Sequence, residues 1–504
     1  MAALAELPDD VAELKALLLA ERDRNDRLER LVLAFKQALF GRKSEKLDPD
    51  QFELALEDIE TGISAIEAEK AADPDGPVAA PKPPRAANRG SLPKHLPRIE
   101  VVIEPETTTC GCGAGLHIIG EDVSERLDVI PAQFRVIVTR RPRYGCRACE
   151  TGVVQAPAPA RLIPGGMPTE ATIAHVLVAK YADHLPLYRQ AQIFSRQGID
   201  LDRTTLAHWV GRAAFELKPV FDCLLADLKR ATKLFMDETR APVLDPGRRR
   251  TKTGYFWSLA RDDRPWGGLD PPGVAYCYAP GRGGEHAEAL LKGFAGVLQV
   301  DGYQGYNRLV GQDRAEGQIR LAYCWAHARR KLHEIAKGGA APIAEEGLRR
   351  IAELYRIEQG IRGLAPAERL RVRQAEATPR VDAFGDWVEE QRARVSGKSS
   401  LGQALRYIFK LWDGLCLFLE GGRVELDTNA VERAIRPIAL NRKNALFAGH
   451  DVGAENWGVI ASLIETAKLN GVEPHAYLTR TLEAIVGGHM QRDIKQLMPW
   501  NYAA

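Results

Sequence analysis

Apolar side chains recur at heptad spacing near the start of the chain, with Val11, Leu18, Val32 and Leu39 on one seam and Leu14, Leu28 and Phe35 on the other. The spacing predicts a helix with one apolar stripe, and Asn25 within it is the residue type that fixes register in a parallel dimer. Glu21 interrupts the seam, so a helix that packs on the body of the protein is the alternative. A coiled coil is assigned to 8–70. Between 71 and 98 Pro, Gly and Ala replace large apolar residues, and the segment reads as a linker. From 99 to 155 the period shortens: "RLDVI" and "FRVIVTR" have strand character, the latter alternating Phe134, Val136 and Val138 on one face. Helical spacing returns over 165–225, where "PLYRQAQIFSRQ", Gly198, "IDLD" and "RTTLAHWVGRAAFEL" form a helix, a glycine turn and a second helix.

Beyond residue 230 the period changes again. Strands are predicted at 232–238, 253–262 and 274–280, then a helix at 284–294, a strand at 296–302, a short helix around "QGYNRL", a strand at 319–325 and a helix in "AHARRKLHEIA". Three antiparallel strands followed by alternating helices and strands is the order of the ribonuclease-H fold. About four helices follow over 336–424 before the chain returns at 425–470 and ends in helices over 471–504. The predicted fold class is multidomain α+β: an N-terminal coiled coil, a small zinc-binding β module, a helix-turn-helix, a ribonuclease-H-like α/β core at 230–335 and 425–470 with a helical insertion, and a C-terminal helical tail.

Candidate chemistry follows from where the reactive residues fall. In a ribonuclease-H order the ends of the first and fourth strands lie side by side, and those ends carry Asp237 and Asp301. Neighbouring carboxylates repel unless a cation lies between them, and oxygen ligands with open positions suit Mg²⁺ or Mn²⁺. A third acid would complete a two-ion clamp for phosphoryl transfer. Glu432 supplies it, on a short helix capped by Asp427, Thr428 or Asn429 and ended or kinked at Pro437. Arg433, Arg436, Arg442 and Lys443 crowd this acid; an exposed helix with ion pairs is one explanation, and a phosphate-holding surface around a metal-bound acid is the other. His327 and Arg330 are placed to face the same centre, while the nearby acids Glu238 and Glu425 receive no ligand role.

Eight cysteines make a poor disulfide framework, but Cys110, Cys112, Cys146 and Cys149 cluster around the two strand-like runs and fit a tetrahedral Zn²⁺ site. Small buried thiols are the bland alternative. In the second helix of 165–225, Arg203, Thr204, Thr205, His208 and Arg212 lead or face outward, as side chains that reach DNA bases do in a helix-turn-helix; a plain helical hairpin would look similar. The net charge of +2 is too small to diagnose a nucleic-acid partner, and 45% hydrophobic with 27% charged residues is an ordinary globular composition. No run approaches the ~20 apolar residues of a membrane span, so a cytoplasmic protein is expected.

Seven segments together resemble one family: "LFGRKSEKL", the cysteine cluster, "MDET", "VDGYQGYNRL", "CWAHARRKLHE", "NAVERAIRPIALNRKNALFAGH" and "SLIETAKLNGVEPHAYL" are similar to the large transposase of the insertion sequence 66 family. The resemblance runs through nearly the whole chain. It implies a DDE transposase with Asp237, Asp301 and Glu432 on the catalytic positions, a structural Zn²⁺ module and a DNA-binding helical segment. It further implies element ends and target DNA as partners, a homodimer or higher oligomer, small accessory transposition proteins, and a bacterial protein associated with the nucleoid when on DNA. The sequence departs from the family pattern at Cys110-x-Cys112, where C-x2-C is expected, and at Asn441, where glycine is usual. A metal-dependent nuclease of the same fold and a non-catalytic DNA-binding protein are the alternative functions.

Overall fold

The computed structural model describes residues 134–145, 153–245, 250–310, 317–445, 448 and 450–502. The predicted coiled coil (8–70), the linker (71–98) and the four clustered cysteines lie outside these residues. The chain divides into two compact units, Met1–Val138 and Thr139–Ala504, and the regular elements below all belong to the second.

The first element is a two-stranded antiparallel ribbon, β1 (Arg143–Gly145) with β2 (Val153–Gln155). The run "FRVIVTR" is not a strand, contrary to its alternation: Val136, Ile137 and Val138 are exposed, and no described strand pairs with them. Alternation sets which face a residue takes, but a strand also needs a ladder partner for its backbone.

Helices α1 (Glu170–Tyr181), α2 (Leu187–Arg196) and α3 (Arg203–Leu228) follow. Between α2 and α3 the chain turns at Gly198, whose φ of +77° lies in the left-handed region that glycine enters without steric cost. Asp202 caps α3 by accepting from the Thr204 amide. The helix runs eleven residues past the predicted end at 217 and through Pro219, because Val220, Phe221, Leu224 and Leu228 continue its buried stripe.

The central sheet has strand order β5-β4-β3-β6-β7. Strands β3 (Lys233–Asp245), β4 (Arg250–Arg261) and β5 (Gly273–Ala279) are antiparallel, whereas β6 (Gly296–Val300) and β7 (Ile319–Tyr323) run parallel to β3. Helix α4 (Gly284–Leu290) connects β5 to β6, and a 3₁₀ segment, Gln304–Leu309, follows β6. After β7 comes α5 (Trp325–Ala336), then the inserted helices α6 (Pro342–Gly360), α7 (Pro366–Val372), α8 (Thr378–Arg394), α9 (Ser400–Lys410) and α10 (Trp412–Cys416). Their core is continuous with α5: Trp325 packs among Phe384, Trp412 and Phe418 and donates its indole N–H to the Leu415 carbonyl at 2.8 Å.

The chain returns through α11 (Asn429–Ala445), α12 (Asp451–Leu469) and α13 (Pro474–Val486). Helix α11 does not stop at Pro437; burial of Val431, Ile438 and Asn441 on one face holds it together across the proline. The open edge of the sheet is closed by α12. Ser462 Oγ accepts from the Tyr276 amide at 2.8 Å and Thr466 Oγ1 from the Val274 amide at 3.1 Å, which satisfies the unpaired backbone of β5. The approach requires Gly458, since a Cβ there would stand 2.5 Å from the Tyr276 carbonyl oxygen.

Candidate active site

The parallel register between β3 and β6 pairs Phe235 with Gln299, so two residues further on Asp237 is level with Asp301; Asp301 lies just past the end of β6, whereas Asp237 lies inside β3, which continues to Asp245 against β4 instead of ending at 238. Each aspartate is held by the backbone beside it. Asp237 Oδ1 accepts from the Glu238 amide at 2.8 Å, and Asp301 Oδ1 from the Tyr303 amide at 2.8 Å in a turn that passes through Gly302 at φ +97°. A side chain at Gly302 would strike Leu411 and the Tyr407 hydroxyl; that hydroxyl donates to the Asp301 carbonyl at 2.8 Å. The inserted helices therefore touch the main chain of one site residue directly.

Glu432 reaches the same region from the first turn of α11. The segment ahead of it is tied to the sheet, with Gln299 and Glu425 exchanging two 2.9 Å hydrogen bonds and the Trp325 amide donating to the Leu426 carbonyl at 3.1 Å. Further along, the Ala434 carbonyl accepts from the Tyr276 hydroxyl, and Arg442 donates to the Arg240 carbonyl of β3. Residues distant in sequence thus fix the helix that carries the third acid.

Burial, then the negative charges of Glu238 and Asp301, push the Asp237 carboxyl up to about 8, with a smaller push from Glu432 and an opposing pull from the Glu238 amide. Three of the four acids named here are the sequence-predicted set. The fourth, Glu238, is not a bystander: its side chain is 1% exposed, hydrogen-bonded by the Tyr306 hydroxyl at 2.6 Å and by Arg282 Nε at 2.7 Å. Arg282 in turn lies 3.9 Å over the Tyr303 ring. Two adjacent acids in one strand, with tyrosines in the later "DGYQGY", were the available signal for this network.

Around Glu432, His327 Nδ1 lies 3.7 Å and Arg330 Nη2 3.9 Å from its carboxylate oxygens, and the Thr428 hydroxyl donates at 3.3 Å. Burial lowers the pKa of His327, partly offset by Glu432, which favours the neutral ring. Cys324 lies beneath, its thiol pushed up to about 11 by burial, with the Thr428 amide donating to its sulfur at 3.3 Å. Sequence analysis assigns Cys324 no role and Thr428 only that of a possible helix cap.

The remaining candidates are placed as follows. Arg203, Thr204 and His208 are exposed on the first turns of α3 and Thr205 is half-buried; Arg212 is exposed and pairs with Glu216 at 2.5 Å. On α11, Arg436 and Lys443 are exposed while Arg442 is half-buried against β3. Cys110, Cys112, Cys146 and Cys149 lie outside the described residues.

Four family models match the chain. The Transposase IS66 family covers 165–456, the zinc-finger binding domain of transposase IS66 covers 107–150, Transposase C of IS166 homeodomain covers 27–101, and the IS66 C-terminal element covers 462–500. The uncharacterized protein y4jD of Sinorhizobium fredii is 45% identical over 99% of this chain and 98% of its own length. A second uncharacterized protein of that organism, y4qI, is 42% identical over 99% of this chain and 98% of its own. These matches define a DNA-transposing enzyme of the DDE type. The chain belongs to the IS66 transposase family. Its zinc-finger match spans all four clustered cysteines, which supports a structural Zn²⁺. Among the described residues no helix is long and apolar enough to cross a membrane.

Proposed function

We propose that this protein binds the ends of an insertion sequence, cleaves DNA strands there and joins the freed 3′ hydroxyls to target DNA, with Asp237, Asp301 and Glu432 as the acids of a ribonuclease-H-like reacting centre. The observation that carries this is the meeting of three carboxylates from distant parts of the chain, close enough that Asp301 and Glu432 both act on Asp237. Half-buried acids brought this close repel one another, and a cation between them relieves the repulsion. All-oxygen donors fit Mg²⁺ or Mn²⁺, with Asp237 and Asp301 holding one ion and Asp237 with Glu432 a second. Bound there, such ions would activate the attacking oxygen and neutralise the charge that develops on the scissile phosphate.

The chain's own groups do the rest. Asp237 must release its proton before it can act as a ligand, and the backbone amides of Glu238 and Tyr303 each hold one aspartate carboxylate in place. Arg330, which lies beside Glu432, and Arg436 and Lys443, exposed further along α11, hold phosphate oxygens, whereas Arg442 braces α11 on β3 and offers its remaining donors to DNA. Arg203, Thr204, Thr205, His208 and Arg212 on α3 read the element end. Cys110, Cys112, Cys146 and Cys149 hold the Zn²⁺ of a 99–155 module; 8–70 pairs two copies of the chain through a coiled coil, with 71–98 as linker. The catalytic domain comprises 230–335 and 425–470, the insertion 336–424 and the tail 471–504. The protein works in the bacterial cytoplasm on nucleoid DNA, with small accessory proteins as further partners.

The test is to incubate the protein with labelled element ends, target DNA and Mg²⁺. Joined strands are expected. Cleaved ends that are never joined would assign a nuclease instead, and unchanged DNA together with tight end binding would leave only a DNA-binding protein.

A further inference from the structure

We propose that Cys324, His327 and Glu432 form a second transition-metal site, one that takes Zn²⁺ and, when filled, withdraws Glu432 from the reacting centre. A sulfur, a ring nitrogen and a carboxylate oxygen from these three residues lie within 4.8 Å of one another. The fold brings them together from two elements. Cys324 is the residue that caps α5, His327 lies in its first turn, and Glu432 enters from the first turn of α11. A C-x2-H spacing across a helix start puts both donors on one side of that turn, the arrangement by which short zinc-binding motifs present their ligands.

The donor set separates this site from the aspartate pair beside it. Thiolate and imidazole are poor ligands for Mg²⁺ and good ones for Zn²⁺, which binds S, N and carboxylate O in tetrahedral sites with bonds of roughly 2.0–2.3 Å. Three protein ligands leave one position for water. His327 Nδ1 is buried and has no hydrogen-bond partner among the described residues, and it stands 3.7 Å from Glu432 Oε1, beyond a hydrogen bond but near the separation of two ligands on one ion. Thr428 serves both flanking ligands at once, its amide donating to Cys324 Sγ and its hydroxyl to Glu432 Oε1, each at 3.3 Å. Partners of that kind fix ligand orientation and strengthen metal binding. Zn²⁺ binding transfers the Cys324 thiol proton to solvent.

The inhibitory half rests on the proposed role of Glu432; the binding half does not. The experiment therefore reads binding first. Full-length protein, zinc-loaded at its finger, is titrated with Co²⁺, and thiolate-to-cobalt absorption is compared between the wild type and Cys324→Ser, with His327→Asn as a second variant that leaves the thiol in place. An absorption component present in the wild type and lost in both variants is the expected result, with thermal melts confirming that the variants are folded. Equal spectra from all three proteins would overturn the site. Strand joining is then followed in Mg²⁺ with added Zn²⁺: the wild type should lose activity and regain it on chelation of the excess, while Cys324→Ser should be resistant. Inhibition that is equal in wild type and Cys324→Ser would overturn the inhibitory half. Full activity of Glu432→Gln in Mg²⁺ without Zn²⁺ would instead refute the catalytic assignment, and the cobalt comparison would still decide the metal site.

Discussion

Glu425 and Glu432 are seven residues apart, yet they belong to groups of charge built on opposite rules. Glu425 joins a network inside the helical insertion. Arg369 Nη1 donates to it at 2.8 Å, and Glu358 accepts from Arg369 at 3.2 Å and from Arg373 twice at 2.7 Å. Arg373 spends another nitrogen on the carbonyls of Phe418 and Gly421, at 3.0 and 2.8 Å. Both arginines are almost wholly buried, and of their nitrogens the buried Nε of Arg369 alone has no partner. Among the described residues no arginine is hydrogen-bonded to Glu432, Asp237 or Asp301. Arg330 comes no closer than 3.9 Å to Glu432, and Asp237 keeps a carboxyl raised to about 8. Where buried acids serve architecture this protein answers them with guanidinium groups at hydrogen-bond distance, and at the second group the proposed Mg²⁺ or Mn²⁺ would supply the missing positive charge.

The largest effect that follows is on catalysis. Asp237→Asn, Asp301→Asn and Glu432→Gln preserve shape and remove charge, so each should cut strand joining by about 10³-fold or more, the equivalent of several kcal/mol of transition-state stabilisation. Folding and end binding should survive, as seen by circular dichroism and a gel-shift titration. If one of the three joins strands at near the wild-type rate, that acid leaves the unanswered group and the contrast with Glu425 fails at that position.

The paired group breaks the other way. Arg373→Met leaves Glu358 buried without its bidentate partner and frees two carbonyls, and the expected loss is about 3–5 kcal/mol in denaturant unfolding. Glu425→Gln, at an acid with no ligand role, should also destabilise, because it removes the charge that pairs Arg369 with the segment leading to Glu432. A loss under about 1 kcal/mol for Arg373→Met would mean that the network carries no architectural load.

Acidity sharpens the comparison. Asp237 titrates near 8 in the folded protein, against about 3.9 in an unfolded chain. Between those values the folded state holds the extra proton, so stability without divalent metal should fall as pH rises, reaching its full penalty above about 8. Asp237→Asn abolishes that dependence. Its unfolding free energy should exceed that of the wild type by a few kcal/mol more at about pH 9 than at about pH 4, and Mg²⁺ should close the gap. A difference that is the same at both pH values would place Asp237 among ordinary solvated acids.

Much of this was legible in the sequence, and the failures share a cause. Strand periodicity and turn residues located all five sheet strands, and the juxtaposition of Asp237 with Asp301 followed from their order, although Asp237 lies within β3 and not at its end. What periodicity does not carry is partnership. "FRVIVTR" alternated as a strand does and lacks a partner among the described residues, while β3 outran its predicted seven residues because β4 pairs along its whole length. Helices α3 and α11 pass through Pro219 and Pro437 because tertiary burial outweighs the local cost of proline. The roles of Glu238 and Cys324 were missed for the same reason: Tyr306 lies 68 residues from Glu238 and the Thr428 amide 104 residues from Cys324, and no local pattern encodes either contact.

The smallest effect tests whether pairing or burial distinguishes the two groups. Glu346 is paired as richly as Glu358, accepting from Arg349 twice and from Arg350 once at 2.6–2.8 Å, and these bonds hold its carboxyl down at about 2. It sits near water on the surface of α6 rather than inside the insertion, so solvent and salt screen the attraction and the side chains lose rotamer freedom in forming it. Whatever stability the pair provides is present above the ordinary glutamate range and is lost as pH falls toward about 2. Glu346→Gln should therefore shift unfolding at neutral pH by no more than about 0.5 kcal/mol and by less in high salt. The same bonds at Glu358 should be worth several times that, because there both partners have left water and neither finds a substitute. A loss at Glu346 as large as at Arg373 would show that geometry of pairing, not burial, sets the energies, and the inference from unpaired acids to an external ligand would then lose its physical basis.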